Sequence, residues 1–222
     1  MAMTATPPDP RYDALRRSAF SALPEAELRR LAEEVHESRL LAGHLLYDPE
    51  VTIVAAGLVR AYIADDTGRQ VTVTYLRPGT TLALSHLAGR RYPTAFQAVE
   101  DSRLVVIGNE HARRLHETYP ALGWATIQEL STRLDDLETG LAYFAFGQLR
   151  QRLAYHLLAL TAEQDGTPRP VHLAHLATAV GSSREMVSRT LAPLAADGTL
   201  QTDPTGVTVT DRQRLRDHAN ID

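Results

Sequence analysis

The chain contains no cysteine. That single absence removes disulfides, thiolate zinc sites, iron–sulfur clusters and cysteine nucleophiles together. Lysine is missing as well, because all 23 basic side chains are arginine. Schiff-base chemistry and the P-loop lysine are therefore excluded. No apolar run approaches the ~20 residues that span a bilayer. Met1–Pro10 lacks a basic n-region and an apolar h-region, so no secretory signal is expected there. Positive charge is not in excess either. The formal net charge is −4; it arises within residues 1–144, and residues 145–222 balance to zero. A protein that coats nucleic acid without sequence preference carries a strong basic excess. If this chain binds DNA, its cations must be concentrated locally.

What is present suits a folded protein. Of 222 residues, 44% are hydrophobic and 23% charged, too apolar for a disordered chain. The length allows one large domain or two small ones. After a Pro- and Thr-rich start, Pro24, Glu25 and Glu27 suit a first helical turn. Leu28, Leu31 and Val35 follow at helical spacing, predicting a helix over about 24–36. From Arg39 to Ile107 the period becomes two. Residues 51–54, 59–63, 71–75 and 103–107 read as β-branched strands. Asp65–Gly68 is a hairpin turn between two of them. Several short strands at this spacing predict a sandwich or roll.

A short helix over 109–119 precedes a long one from about Pro120 to Phe144. Ile127, Leu130, Leu134, Leu137, Leu141 and Phe144 recur in steps of three and four, a heptad seam. A helix lying on its own sheet usually shows a wider stripe. The seam therefore predicts a dimer interface through these six residues. Phe146 and Gly147 form the candidate hinge. Residues 148–163 are helical again.

Leu173–Val180 is a short helix, Gly181 makes a turn, and Ser182 or Ser183 caps a second helix from Arg184. Val187, Leu191 and Leu194 face inward, while Arg184, Glu185, Ser188 and Arg189 share the outer face. Two short helices joined by a tight glycine turn form a helix-turn-helix. Arg matches guanine O6 and N7, and Glu accepts from cytosine N4. Ser182, Ser183, Thr190 and the helix N-terminus suit phosphate oxygens. His172, just before the first helix, is counted with the DNA-binding set. A solvated helix face carries the same charges; the turn glycine, the cap and the core spacing favour the DNA reading. Pro193 is expected to bend or shorten the second helix. Residues 199–202 and 206–210 form a hairpin that completes a winged helix, its tip available to the DNA backbone.

Residues 20–216 resemble the cyclic-AMP receptor protein / fumarate–nitrate regulator (CRP/FNR) family of bacterial transcription factors. The resemblance rests on Leu23–Leu28, Gly57-Leu-Val-Arg-Ala-Tyr62, Tyr75-Leu-Arg-Pro-Gly79, Arg152–Leu158 and above all Val180-Gly-Ser-Ser-Arg-Glu-Met-Val-Ser-Arg189. It implies an α+β fold: an N-terminal double-stranded, jelly-roll-like β-roll, a long dimerisation helix and a C-terminal winged helix-turn-helix. The corresponding domains are a flexible segment 1–19, a sensor roll 20–119, a dimerisation helix and hinge 120–147, and a DNA-binding domain 148–222. The resemblance further implies a cytoplasmic, nucleoid-associated homodimer. Its double-stranded DNA operator would be two-fold symmetric, with half-sites ~34–36 Å apart. RNA polymerase is a further partner such a regulator takes. Arg184, Glu185 and Arg189 match the family's base-reading positions.

The effector site departs from the family. The Gly-Glu-Leu segment for the ribose aligns near Ala83-Leu84-Ser85, the Arg-Ser pair for the phosphate near Tyr92-Pro93, and the Thr-Ser pair for the base at Leu137-Glu138. These departures argue against cyclic AMP. The candidate effector contacts are Leu84, His86, Arg90, Arg91, Tyr92 and Thr94, although Arg90 and Arg91 also suit a solvated loop. Haem ligation through His86 or another histidine stays open. His44, His86, His111, His116 and His156 show no metal-ligand spacing, and no metal or catalytic residue is assigned. Two alternatives remain: a cupin-like metal enzyme, which needs clustered ligands, and a ligand-sensing β-roll without DNA binding.

Overall fold

A computed structural model describes residues 9–90, 94–162 and 170–220. The chain divides into two compact units: residues through Ala61 with Leu76–Asp135, and Tyr62–Tyr75 with Asp136 onward.

The first unit opens on α1 (Pro10–Arg17), a helix that the sequence pattern did not reveal. Asp9 caps it, its carboxylate accepting from the Arg11 N–H at 2.9 Å. A 3₁₀ turn over Ala19–Ala22 leads into α2 (Glu25–Glu34). The strands are β1 (His36–Leu40), β2 (Leu45–Leu46), β3 (Thr52–Ala56), β4 (Val59–Ala64), β5 (Gln70–Leu76), β6 (Thr81–Leu82), β7 (Ala95–Ala98) and β8 (Ser102–Val106). They form two four-stranded sheets, ordered β1-β8-β3-β6 and β2-β7-β4-β5. The sequence pattern does not mark β2 and β6, which are only two residues long, nor β1, which is mostly polar; β7 is also unmarked.

Alternation sorts the side chains of the first sheet to two faces. Ile53 and Val105 join Phe20, Leu31 and Leu122 in a core beneath the helices. Val54 and Leu104 turn the other way, and with Val59, Leu76, Leu82 and Phe96 they fill a second core. Following the strands, α3 (Asn109–Thr118) leads to α4 (Pro120–Phe146). Glu129 and Arg133 fasten α4 to β6. The Glu129 carboxylate accepts from the Thr81 N–H at 2.7 Å and the Thr81 hydroxyl at 3.1 Å. Arg133 pairs with Glu129 at 2.8 Å and donates to the Thr81 carbonyl.

In the second unit the hairpin turn closes as the residues predict. The Asp65 carboxylate accepts from the Thr67 N–H at 2.9 Å and the Arg69 N–H at 3.0 Å. Four helices follow: α5 (Leu149–Leu160), α6 (Leu173–Ala179), α7 (Arg184–Ala196) and α8 (Arg212–Ala219). Between the last two lies the hairpin of β9 (Leu200–Asp203) and β10 (Gly206–Val209). Leu153, Leu157, Leu176, Val187, Leu191 and Leu194 are all buried and make this unit's helical core. Arg212 ties α8 to the end of α5, donating to the Thr161 hydroxyl at 2.8 Å and the Leu158 carbonyl at 3.0 Å.

Candidate nucleic-acid interface

The turn between α6 and α7 is built from backbone bonds. Ser182 N–H donates to the Ala177 carbonyl at 2.9 Å. Gly181 sits at φ +63°, a left-handed conformation that L side chains rarely adopt. Of the two candidate caps, Ser183 is the one used: its hydroxyl accepts from the Met186 N–H at 3.2 Å. That satisfies one of the orphan donors at the start of α7 and sets the helix at a defined phase.

From this start Val187, Leu191 and Leu194 point into the core, each at most 1% exposed. Arg184, Glu185, Ser188 and Arg189 are exposed together. Arg189 Nη2 donates to Glu185 Oε1 at 3.0 Å, an i,i+4 pair in open water. Such a pair is worth ~0.3–0.5 kcal/mol and yields readily to a base edge. Ser182 and Thr190 are half-buried, and the Thr190 hydroxyl donates to the Met186 carbonyl at 2.8 Å. His172 is exposed as the residue preceding α6. Met186, also exposed, lies among the polar residues of α7. Its apolar character hid it, because helical spacing alone assigns methionine to a core.

Pro193 does not shorten the recognition helix. α7 continues through it to Ala196. Proline removes one backbone donor, and this one stands in the last turn, where Asp197 N–H still closes onto the Pro193 carbonyl at 3.1 Å. At the hairpin tip the Asp203 carboxylate accepts from the Thr205 N–H at 2.7 Å and the Gly206 N–H at 3.1 Å. The Thr205 hydroxyl and N–H hold Asp203 below the usual carboxylate range, so the tip is anionic. Gly206 is required by close approach, since a Cβ would lie 2.4 Å from the Val171 carbonyl oxygen.

The six seam residues of α4 are all exposed in the single chain, from 37% at Leu137 to 64% at Leu141. Trp124 and Phe146 add to the exposed apolar surface of the same helix. α4 ends at Phe146, and Gly147 N–H closes onto the Tyr143 carbonyl at 3.0 Å. A Cβ on Gly147 would stand 2.5 Å from that oxygen, so glycine is demanded at the bend. Gln148 then opens α5 with a reciprocal capping box to Gln151.

The candidate effector contacts do not share one environment. Leu84 belongs to the core around Phe20, Arg90 is exposed, and His86 and Thr94 are half-buried. The buried His86 Nδ1 atom has no hydrogen-bond partner among the described residues. Arg91 and Tyr92 lie outside the described residues. Ala83 holds φ +62°, the left-handed region, at the position where the resemblance places a glycine. Ser85 spends its hydroxyl on the Arg90 carbonyl at 2.9 Å. A ribose thus finds a buried leucine and an engaged serine here.

Among the described residues there is no group of three or more His, Cys, Asp or Glu placed to hold a metal ion. His116 bridges helices instead, bonding the Ala112 carbonyl at 2.7 Å and the Thr126 hydroxyl at 2.8 Å. Nor is any described helix long and apolar enough to cross a membrane.

Comparison with known proteins bears on both units. Residues 151–218 match the Crp-like helix-turn-helix domain, and residues 47–119 match the cyclic nucleotide-binding domain. The chain is similar to the cyclic AMP receptor protein of Thermus thermophilus. It is 31% identical over 179 residues, which cover 80% of this chain and 80% of that relative. A solved CRP/FNR-family transcriptional regulator from the same organism is 25% identical with a TM-score of 0.68, covering 83% of this chain and 98% of the other. A Crp/Fnr-family regulator from Eubacterium rectale shares the fold, with TM-score 0.74, 21% identity and coverage of 94% and 98%.

Proposed function

The chain belongs to the CRP/FNR family and is a DNA-binding transcription regulator, and from that premise we propose that it works as a homodimer on a two-fold symmetric operator, under an effector other than cyclic AMP or under none. One observation carries the operator reading: Arg184, Glu185, Ser188 and Arg189 stand exposed on one face of a capped helix whose opposite face is fully buried. A helix so anchored can be laid in a major groove without repacking. Arg184 and Arg189 then take guanine edges, Glu185 a cytosine amino group, and Ser182, Ser183, Ser188, Thr190 and His172 the neighbouring phosphates.

Pairing through Ile127, Leu130, Leu134, Leu137, Leu141 and Phe144 supplies the second half-site. Phe146 and Gly147 form the hinge by which the recognition helices change orientation. An effector acts by binding two such orientations unequally. RNA polymerase is the partner through which operator occupancy is read, in the cytoplasm of a bacterial cell. The Thermus relative is named for cyclic AMP; this chain's unsuitable groups at Ala83, Leu84 and Ser85 support a different ligand.

The test is selection of a bound sequence from a random duplex pool by the full-length chain, followed by gel-shift titration at two salt concentrations. A palindromic site should emerge, bound with an affinity that falls steeply as salt rises. Equal binding to all sequences, or no binding, would overturn the reading.

A further inference from the structure

The second unit contains a cavity of about 270 Å3. Its walls include Val71 and Val73 of β5, Tyr155 of α5 and Val180 at the end of α6, and on the α4 side Leu141 and Phe144, which also belong to the proposed dimer seam. Tyr143 stacks on Tyr155 with ring centroids 4.6 Å apart, making a flat aromatic wall. Into this apolar lining α5 places Arg152. Among the described residues, its buried Nε atom has no hydrogen-bond partner and no acidic residue lines the cavity. A buried N–H left unpaired is costly, and such an orphan calls for an acceptor.

His156 does not supply that acceptor's charge. It is buried, with Nδ1 3.2 Å from the Tyr75 hydroxyl. Burial, helped by the nearby Arg152 charge, holds its pKa down at about 4, so it is neutral at physiological pH. Arg152 is thus the single charge among the described lining residues. The volume lies at the lower edge of the ~300–1,000 Å3 of small-molecule sites. It suits a compact ligand with one anionic end.

We propose that this cavity is an effector site whose ligand is a small carboxylate with an apolar aromatic or short aliphatic body, its oxygens set against Arg152 and its body against the Tyr143–Tyr155 wall. The effector role rests on the regulator reading above; the binding itself does not. The link to DNA is direct. Val180 lines the cavity and immediately precedes Gly181, the turn of the helix-turn-helix. A Cβ at Gly181 would lie 3.6 Å from both the Gln70 carbonyl oxygen and a Val71 methyl. Val71 therefore borders both the ligand space and the turn that aims α7. Phe144 lines the same space, three residues before Gly147.

The experiment uses the full-length protein with 4-phenylbutyrate and its neutral amide, followed by calorimetry, with Gly140→Met and Arg152→Gln as variants. Gly140 lines the cavity, and a Cβ there would stand 3.5 Å from the Tyr155 hydroxyl oxygen, so a methionine fills the space. Saturable binding of the carboxylate is expected, with a Kd of about 1 mM or tighter for a ligand of this size. The amide should bind about 10-fold more weakly, Arg152→Gln should equalise the two, and Gly140→Met should abolish both. Should Gly140→Met not fold, the acid-to-amide ratio in Arg152→Gln decides alone. No saturation below about 10 mM, equal binding of acid and amide, or a ratio unmoved by Arg152→Gln would overturn the site.

The second readout is the affinity for the selected operator, which 4-phenylbutyrate should shift several-fold in the parent chain and in neither variant. Ligand binding with an unmoved operator affinity overturns the effector role. Absence of sequence-specific DNA binding both with and without 4-phenylbutyrate overturns the operator reading instead, and calorimetry still judges the cavity.

Discussion

Two helices of this protein present a face to solvent, and the faces are chemical opposites. α4 exposes Ile127, Leu134, Leu141 and Phe144; α7 exposes Arg184, Glu185, Ser188 and Arg189. Water penalises the first by ~25 cal/mol for each Å2 of apolar surface, whereas the second is well solvated and waits at no cost. An exposed apolar row in heptad register is complementary to a copy of itself. An exposed guanidinium–carboxylate face is complementary to base edges and phosphates. The same degree of exposure therefore points to two different partners, one driven by desolvation and one by charge.

Breaking the apolar face should have the largest consequence. Leu134→Asp with Leu141→Asp should yield monomers by sedimentation and lower operator affinity about 1,000-fold, because the second half-site loses its effective concentration. A persisting dimer would remove the seam from the comparison. Acid should act next, through the second unit. His156 is buried with its pKa lowered from 6.5 to about 4. The unfolded chain therefore binds this proton first, and stability present above pH 6.5 is lost as pH falls toward 4. The loss is on the order of 3 kcal/mol, at ~1.4 kcal/mol per pH unit. Thermal melts across that range should show it, and His156→Gln should flatten the slope.

Changes to the charged face come third. Arg184→Ala or Arg189→Ala should each weaken operator binding by ~1–3 kcal/mol and relax one base position, leaving the sedimenting species unchanged. Unchanged operator affinity in both would unseat α7 as the reader. Salt should sharpen the contrast further: operator affinity should fall steeply with ionic strength while the dimer holds. The smallest effect belongs to the first unit. Ala83 occupies a left-handed conformation, and Ala83→Gly should raise stability by up to ~1 kcal/mol, with operator affinity unaltered.

The elements legible in the sequence were those whose pattern is local. The α7 core positions, its serine cap, the Gly181 turn and the Asp65–Gly68 hairpin each follow from residues within one or two turns of chain. α1 was illegible because only Ala14 and Leu15 of its eight residues are buried, too few to show a period. Pro193 does not shorten α7, because it stands in the last turn of the helix, and helix ends are set by packing. The candidate effector residues were placed by position relative to a family pattern, and Leu84 turned out to be core.

What the amino-acid order determined by itself was the class of each element and the chemistry of its outward face, since periodicity and caps act over a few residues. Tertiary structure alone decided which distant groups meet. Tyr75 against His156, Glu129 against Thr81 and Arg152 beside β5 and the end of α6 at one cavity arise from segments far apart in the chain. Their proximity depends on how whole elements pack to bury apolar surface, and no local spacing records that outcome.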